Sequence, residues 1–112
     1  MERKRELDTY RRFKQQYPDY FAAVEALGAA VRHAGPLDEQ VVQLVQLAAA
    51  AAIRSEGSVH SHARRALDAG VSPEQIHHAL LALTSTIGFP TVAAAMSWVD
   101  DVVGSENKAA PE

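Results

Sequence analysis

The chain has no cysteine among its 112 residues. That excludes disulfides, thiolate catalysis and any metal site built on sulfur. Aromatic residues are scarce, at 6%, although 47% of the chain is hydrophobic. Alanine carries much of that difference, and alanine is the best helix former. Neither sign of charge dominates: the formal net charge is -3, which gives no electrostatic footprint for a nucleic acid or a membrane surface. Long hydrophobic runs are absent too. The longest is Leu47 to Ile53, far short of the roughly 20 residues that span a bilayer. The opening "MERKRELDTY" has no apolar stretch of the kind a secretory signal needs. These absences lead us to expect a soluble, cytoplasmic protein with neither nucleic-acid nor membrane partners.

What is present is helical punctuation. No stretch alternates as a strand, and the length fits one all-α domain of about six helices. Residues 6 to 16 read as a polar first helix. The start of the chain carries a local basic bias, Arg3, Lys4, Arg5, Arg11, Arg12 and Lys14, interleaved with Glu2, Glu6 and Asp8, which suits a salt-bridged, solvated face. Pro18 ends that helix and opens the next, which carries Phe21, Val24, Leu27 and Val31 as one apolar stripe. "HAGPLD" stops it, and Asp38 is a plausible N-cap for a third helix. The third helix is polar only at Gln40, Gln43 and Gln46 and so reads as central, buried on nearly all sides by the chain or a partner subunit.

Gly57 marks a break near residues 54 to 57. A fourth helix then runs to Ala69 and stops at Gly70. "SPEQ" is the clearest signal in the chain, with Ser72 as N-cap, Pro73 at N1 and Gln75 closing a capping box. Ile76, Leu80, Leu83 and Ile87 form the apolar face of this fifth helix. The sixth carries Phe89, Val92, Met96, Val99 and Val103 at helical spacing, with Met96 and Trp98 read as packing residues. We expect a polar helix over 1–17, a helical domain over 18–103 and a disordered tail over 104–112.

Chemistry has few places to reside. The five histidines are His33, His60, His62, His77 and His78. His60 and His62 lie about 200° apart on a helix, so they cannot ligate one metal together, and no His-x-x-x-His pair occurs. No residue is assigned as a metal ligand, and no cofactor is expected. A metal site would have to be built across helices or subunits, with His60, His77 and His78 as candidates. His60 shares a face with Arg64 and is expected to point to solvent. His62 lies beside Val59, Ala66 and Ala69 and is expected to face inward or sideways. Ser58, four residues before His62, can touch it. Ser55 and Ser58 read either as helix-start residues or as nucleophiles with a histidine base.

From about Pro18 to Val99 the chain resembles the carboxymuconolactone decarboxylase family, which includes the alkylhydroperoxidase D-like proteins. The segments that carry this are "YPDYFAAVEALGAAVRHAGPLDEQ", "LVQLAAAAAI", "HSHARRALDAGVSPEQIHHALLAL" and the "GFP" before an alanine-rich helix. The resemblance implies an all-helical alkylhydroperoxidase D-like fold that assembles as a homo-oligomer, a trimer or a hexamer. It also implies one of two chemistries: decarboxylation of a carboxylated muconolactone, or a thiol peroxidase.

In the peroxidase branch a Cys-x-x-Cys pair is followed by a histidine and preceded by a glutamate. Those positions fall here on Ser55, Ser58, His62 and Gln43. Serine lacks thiolate redox chemistry, so a working thiol peroxidase is not expected. The basic residue usual near the start of the family's central helix falls on Val42.

Two readings follow. In the first the protein is a cofactor-free, decarboxylase-like lyase acting on a small carboxylated or carbonyl compound. His62 is then its acid/base, and Gln43, Ser55 and Ser58 hold the substrate. In the second it is a non-catalytic small-ligand-binding or assembly protein that retains the fold.

Overall fold

The computed structural model describes the backbone of residues 2–109 and the side chains of residues 8–104. Every element in the described residues is a helix: α1 (Glu2–Gln16), α2 (Pro18–Arg32), α3 (Glu39–Ala52), α4 (Glu56–Asp68), α5 (Pro73–Leu81), the single turn α6 (Thr84–Ile87) and α7 (Phe89–Ala109). The chain divides into two units, Met1–Leu37 and Asp38–Glu112.

The first unit is a helical hairpin. Tyr17 sits before proline outside the helical region (φ -133°, ψ 64°), and Pro18 opens α2, in keeping with the steric bias of a pre-proline residue against helix. The two helices meet through aromatic rings. Phe21 is buried, with its ring centroid 5.0 Å from Tyr10 and 5.7 Å from Phe13. Tyr17 and Tyr20 pack on the same group, and edge-on geometry suits the ring quadrupoles. Lys14 pairs with Glu25 at 3.5 Å and Arg11 with Asp8 at 3.9 Å. The expected stripe on α2 is buried only at Phe21, while Val24, Leu27 and Val31 are exposed. A stripe says which residues share a face, not whether a partner covers it. The aromatic cluster also explains why α2 groups with α1 in the first unit.

In the second unit α4 packs against both α3 and α7, and α5 against α7. The core is Leu47, Ala50 and Ala51 from α3, Val59, Ala63 and Ala66 from α4, Ile76 and Leu80 from α5, and Ala95, Val99, Val102 and Val103 from α7. Alanines at the α3–α4 contact let two backbones approach closely, which is what the alanine-rich composition is for. Met96 and Trp98 lie partly buried against this core. Within one chain the third helix is covered on one side. One side carries the buried Gln43, Leu47, Ala50 and Ala51, while Val41, Val45 and Ile53 stand exposed on the other.

Helix ends follow local chemistry. The Asp38 carboxylate accepts from the Val41 N–H at 2.9 Å. At α5 the Gln75 N–H donates to Ser72 Oγ and the Ser72 N–H to Gln75 Oε1, which completes the box read from "SPEQ". Two helices end in the same bonding pattern. After α4, the Gly70 N–H reaches the Leu67 carbonyl and the Val71 N–H the Ala66 carbonyl, with Gly70 at φ 93°. After α3, the Arg54 N–H reaches Ala51 and the Ser55 N–H reaches Ala50, with Arg54 at φ 58°. A left-handed residue at this position favours glycine; the break expected near residues 54 to 57 is found, but its left-handed residue is Arg54, while Gly57 falls inside α4. Arg54 also donates to Thr91 Oγ1 at 2.9 Å, a contact available only to a long side chain.

The fifth predicted helix is interrupted after Leu81, and α6 follows as one turn. The backbone of α7 continues to Ala109, across most of the segment read as a disordered tail. Beyond Pro90 in its first turn, α7 contains no proline. Residues 110–112 lie outside the described residues.

Candidate functional site

His62 and Gln43 face each other across the α3–α4 contact. The helix pitch puts His62 on the α3 side of α4, where its Nδ1 lies 3.1 Å from Gln43 Oε1. Gln43 is completely buried, and its Nε2 donates to Glu39 Oε1 at 3.0 Å. Glu39 lies one turn earlier on α3, in the i,i+4 relation that brings side chains together.

The three residues orient each other. A carboxylate only accepts hydrogen bonds, so Glu39 draws the NH₂ end of the Gln43 amide toward itself. The carbonyl end then faces His62, and an acceptor there requires a proton on Nδ1. In the neutral ring the lone pair therefore resides on Nε2. Protonation of His62 adds a proton at Nε2 and leaves the Nδ1–H to Gln43 bond unchanged. The imidazole can thus gain and lose a proton at one defined atom without rearranging its support.

Gln43 itself can neither take nor give a proton in this range, so the arrangement orients the ring and relays nothing. Both ends of its amide are engaged within the protein. Each end of the amide keeps one further hydrogen-bonding position beyond these two bonds. Glu39, in the first turn of α3, is not among the site residues expected from the sequence. The signal that finds its role is the spacing Glu39-x-x-x-Gln43 on one helix.

Ser55 stands at the N-cap of α4, but its side chain accepts no capping bond. Ser58 lies at the third position of α4, half-buried, one helical turn before His62. Both serines are on the turn that leads into the His62 face.

His60 corrects the sequence expectation. It does not point to solvent but is fully buried, with Nε2 3.3 Å from Asp101 Oδ2 and 4.0 Å from Glu56 Oε2. The reason is tertiary. α7 packs along the side of α4 opposite His62, so the face shared by His60 and Arg64 is covered by a helix that lies far along the chain. Val59, His60, Ala63 and Ala66 together form the buried stripe of α4. On α5, His77 Nε2 meets Asp100 Oδ1 at 3.0 Å. The adjacent aspartates of α7 thus each hold a histidine from a different helix.

An all-helical unit whose central alanine-rich helix presents a buried polar side chain to a histidine on the next helix defines a recognisable class. The family model for the carboxymuconolactone decarboxylase family matches residues 18–101, and the chain belongs to that family. No curated protein and no solved structure matches the chain. Among the described residues no helix is long and apolar enough to cross a membrane.

Proposed function

We propose that the protein is a histidine-centred enzyme of the decarboxylase type, acting on a small carboxylated or carbonyl-bearing compound without a cofactor. The observation that carries this is the oriented ring of His62, pinned at Nδ1 by the buried Gln43. In the step we assign, the C–C bond to the substrate carboxylate breaks and carbon dioxide leaves. The electron pair moves into the neighbouring carbonyl as an enolate, and the Nε2–H of protonated His62 delivers a proton to the carbon. A proton from water then restores the imidazolium. In this reading Ser55 and Ser58, on the adjoining turn, hold the substrate by neutral hydrogen bonds. Thiol peroxidase chemistry is closed to a chain with no cysteine.

A second reading, binding without turnover, draws on the neutral Gln43, which supplies no proton transfer of its own.

The two separate in one experiment. The purified protein is offered a panel of carboxylated lactones and β-keto acids, and carbon dioxide release is followed. Turnover by the wild type and a loss of about 10²- to 10⁴-fold in His62→Gln, with thermal stability retained, supports the enzyme. Undiminished turnover in His62→Gln removes His62 from the chemistry. Saturable binding with no release of carbon dioxide supports the second reading.

We also propose that the chain assembles with copies of itself, as a trimer or a hexamer. Support comes from apolar side chains left exposed on the helices, among them Leu27 at 64% and Val45 at 55%, which are costly to leave in water.

A further inference from the structure

We propose that Glu56, His60 and Asp101 form a binding site for a divalent first-row transition cation of the zinc and manganese class. It is built on the face of α4 turned away from His62 and is independent of any reaction there. The three donor atoms lie within 4.8 Å of one another. Glu56 and His60 share one face of α4 at i,i+4 spacing, and α7 brings Asp101 to them.

The geometry is that of ligands around an ion. Donors at roughly 2.0–2.2 Å from a tetrahedral cation stand about 3.3–3.5 Å from each other, and His60 Nε2 lies 3.3 Å from Asp101 Oδ2. That separation exceeds the roughly 2.7–2.9 Å of a charge-assisted N–H···O bond. Glu56, at 4.0 Å, closes the remaining distance by a small rotation of its flexible side chain.

Charge points the same way. Two carboxylates converge on a single ring nitrogen. A protonated His60 still leaves one net negative charge among the three side chains, and a neutral one leaves two. A divalent cation accepts all three donors and balances both carboxylates.

Burial divides the site into a fixed and an open side. The His60 side chain is 1% exposed and held by the core, so its donor direction is set by packing. The Glu56 and Asp101 side chains are 31% and 57% exposed, which leaves an entry path and room for water as a further ligand. One nitrogen and two carboxylate oxygens suit zinc, manganese or cobalt better than the softer ions that select sulfur. Asp100, next in the chain, is engaged with His77 and stays out of the set. A bound ion would tie α7 to α4 at this point.

The test uses the full chain, freed of metal by a chelator and then titrated with Zn²⁺ by calorimetry and with Co²⁺ by visible absorption. One equivalent per chain, a rise in melting temperature and Co²⁺ ligand-field bands are expected. Asp101→Asn and Glu56→Gln change side chains near the surface and keep the fold. Each is expected to weaken Zn²⁺ binding by about 10- to 100-fold, and His60→Ala to abolish it. Should His60→Ala fail to fold, the other two variants decide alone. No stoichiometric Zn²⁺ uptake by the folded protein overturns the proposal. So does uptake that survives unchanged in both Asp101→Asn and Glu56→Gln, which would assign the ion to other histidines.

Discussion

Gln43 Oε1 accepts from Nδ1 of His62 at 3.1 Å, across two helices whose backbones are drawn together by alanine. Because Glu39 holds the other end of the same amide, the acceptor presented to His62 is set through Gln43.

A direct consequence concerns the tautomer of His62. Nitrogen NMR of the neutral ring is expected to show the proton on Nδ1 in the wild type. Glu39→Ala frees the amide to turn over and should populate the other tautomer. Glu39→Lys places a donor where an acceptor stood, and should drive the proton toward Nε2. These spectra bear on orientation alone and hold whether or not turnover is found. An unaltered tautomer in Glu39→Ala removes Glu39 from the role given to it.

Gly70 carries a stability prediction with an internal control. It sits at φ 93°, and a Cβ there would stand 3.1 Å from Gln40 Nε2, the atom that donates to the Ala69 carbonyl at 2.8 Å. Gly70→Ala should therefore cost about 1–2 kcal/mol, from the left-handed backbone and the displaced Gln40 together. Gly35 has nothing within 4 Å of its virtual Cβ, so Gly35→Ala should change stability by no more than about 0.5 kcal/mol. Urea unfolding of the two variants side by side checks both numbers. Equal losses would mean that position 70 has no special backbone demand.

The exposed apolar side chains predict an assembly that one charge can weaken. Light scattering on an eluting peak should give a multiple of the chain mass for the wild type. Val45→Glu or Leu27→Glu should shift the peak toward the monomer, since neither side chain is needed by the core of its own unit. A wild type that elutes as a monomer at tens of micromolar rejects the assembly.

Much of the fold is legible residue by residue. Asp38 and the Ser72–Gln75 box are local devices whose partners lie within three residues, so propensity and spacing suffice to find them. Gly70 is legible for the same reason. Arg54 is not, because nothing in its side chain announces a left-handed backbone. Its position there is sustained by the Ala50 and Ala51 carbonyls and by Thr91, which is distant in sequence.

The site divides along the same line. His62 stands out in the sequence through its place in the family's pattern, and Gln43 through its place on the central helix. Their partnership with Glu39 is not legible there, because it needs the amide to have a defined direction. The burial of His60 is not legible either, because helical periodicity ranks faces by the residues on them and contains no information about α7.

Composition and local spacing thus determined that this chain is helical, where most of its helices begin and end, and that sulfur chemistry is closed to it. These follow from forces acting over a few residues: backbone sterics, capping and the intrinsic helicity of alanine. Only the tertiary structure decided which faces of α4 are covered, and therefore that His62 is turned toward Gln43 while His60 is enclosed between Glu56 and Asp101. Burial is a property of what packs against a residue. The helix that buries His60 begins at Phe89, well outside any window that local periodicity can see.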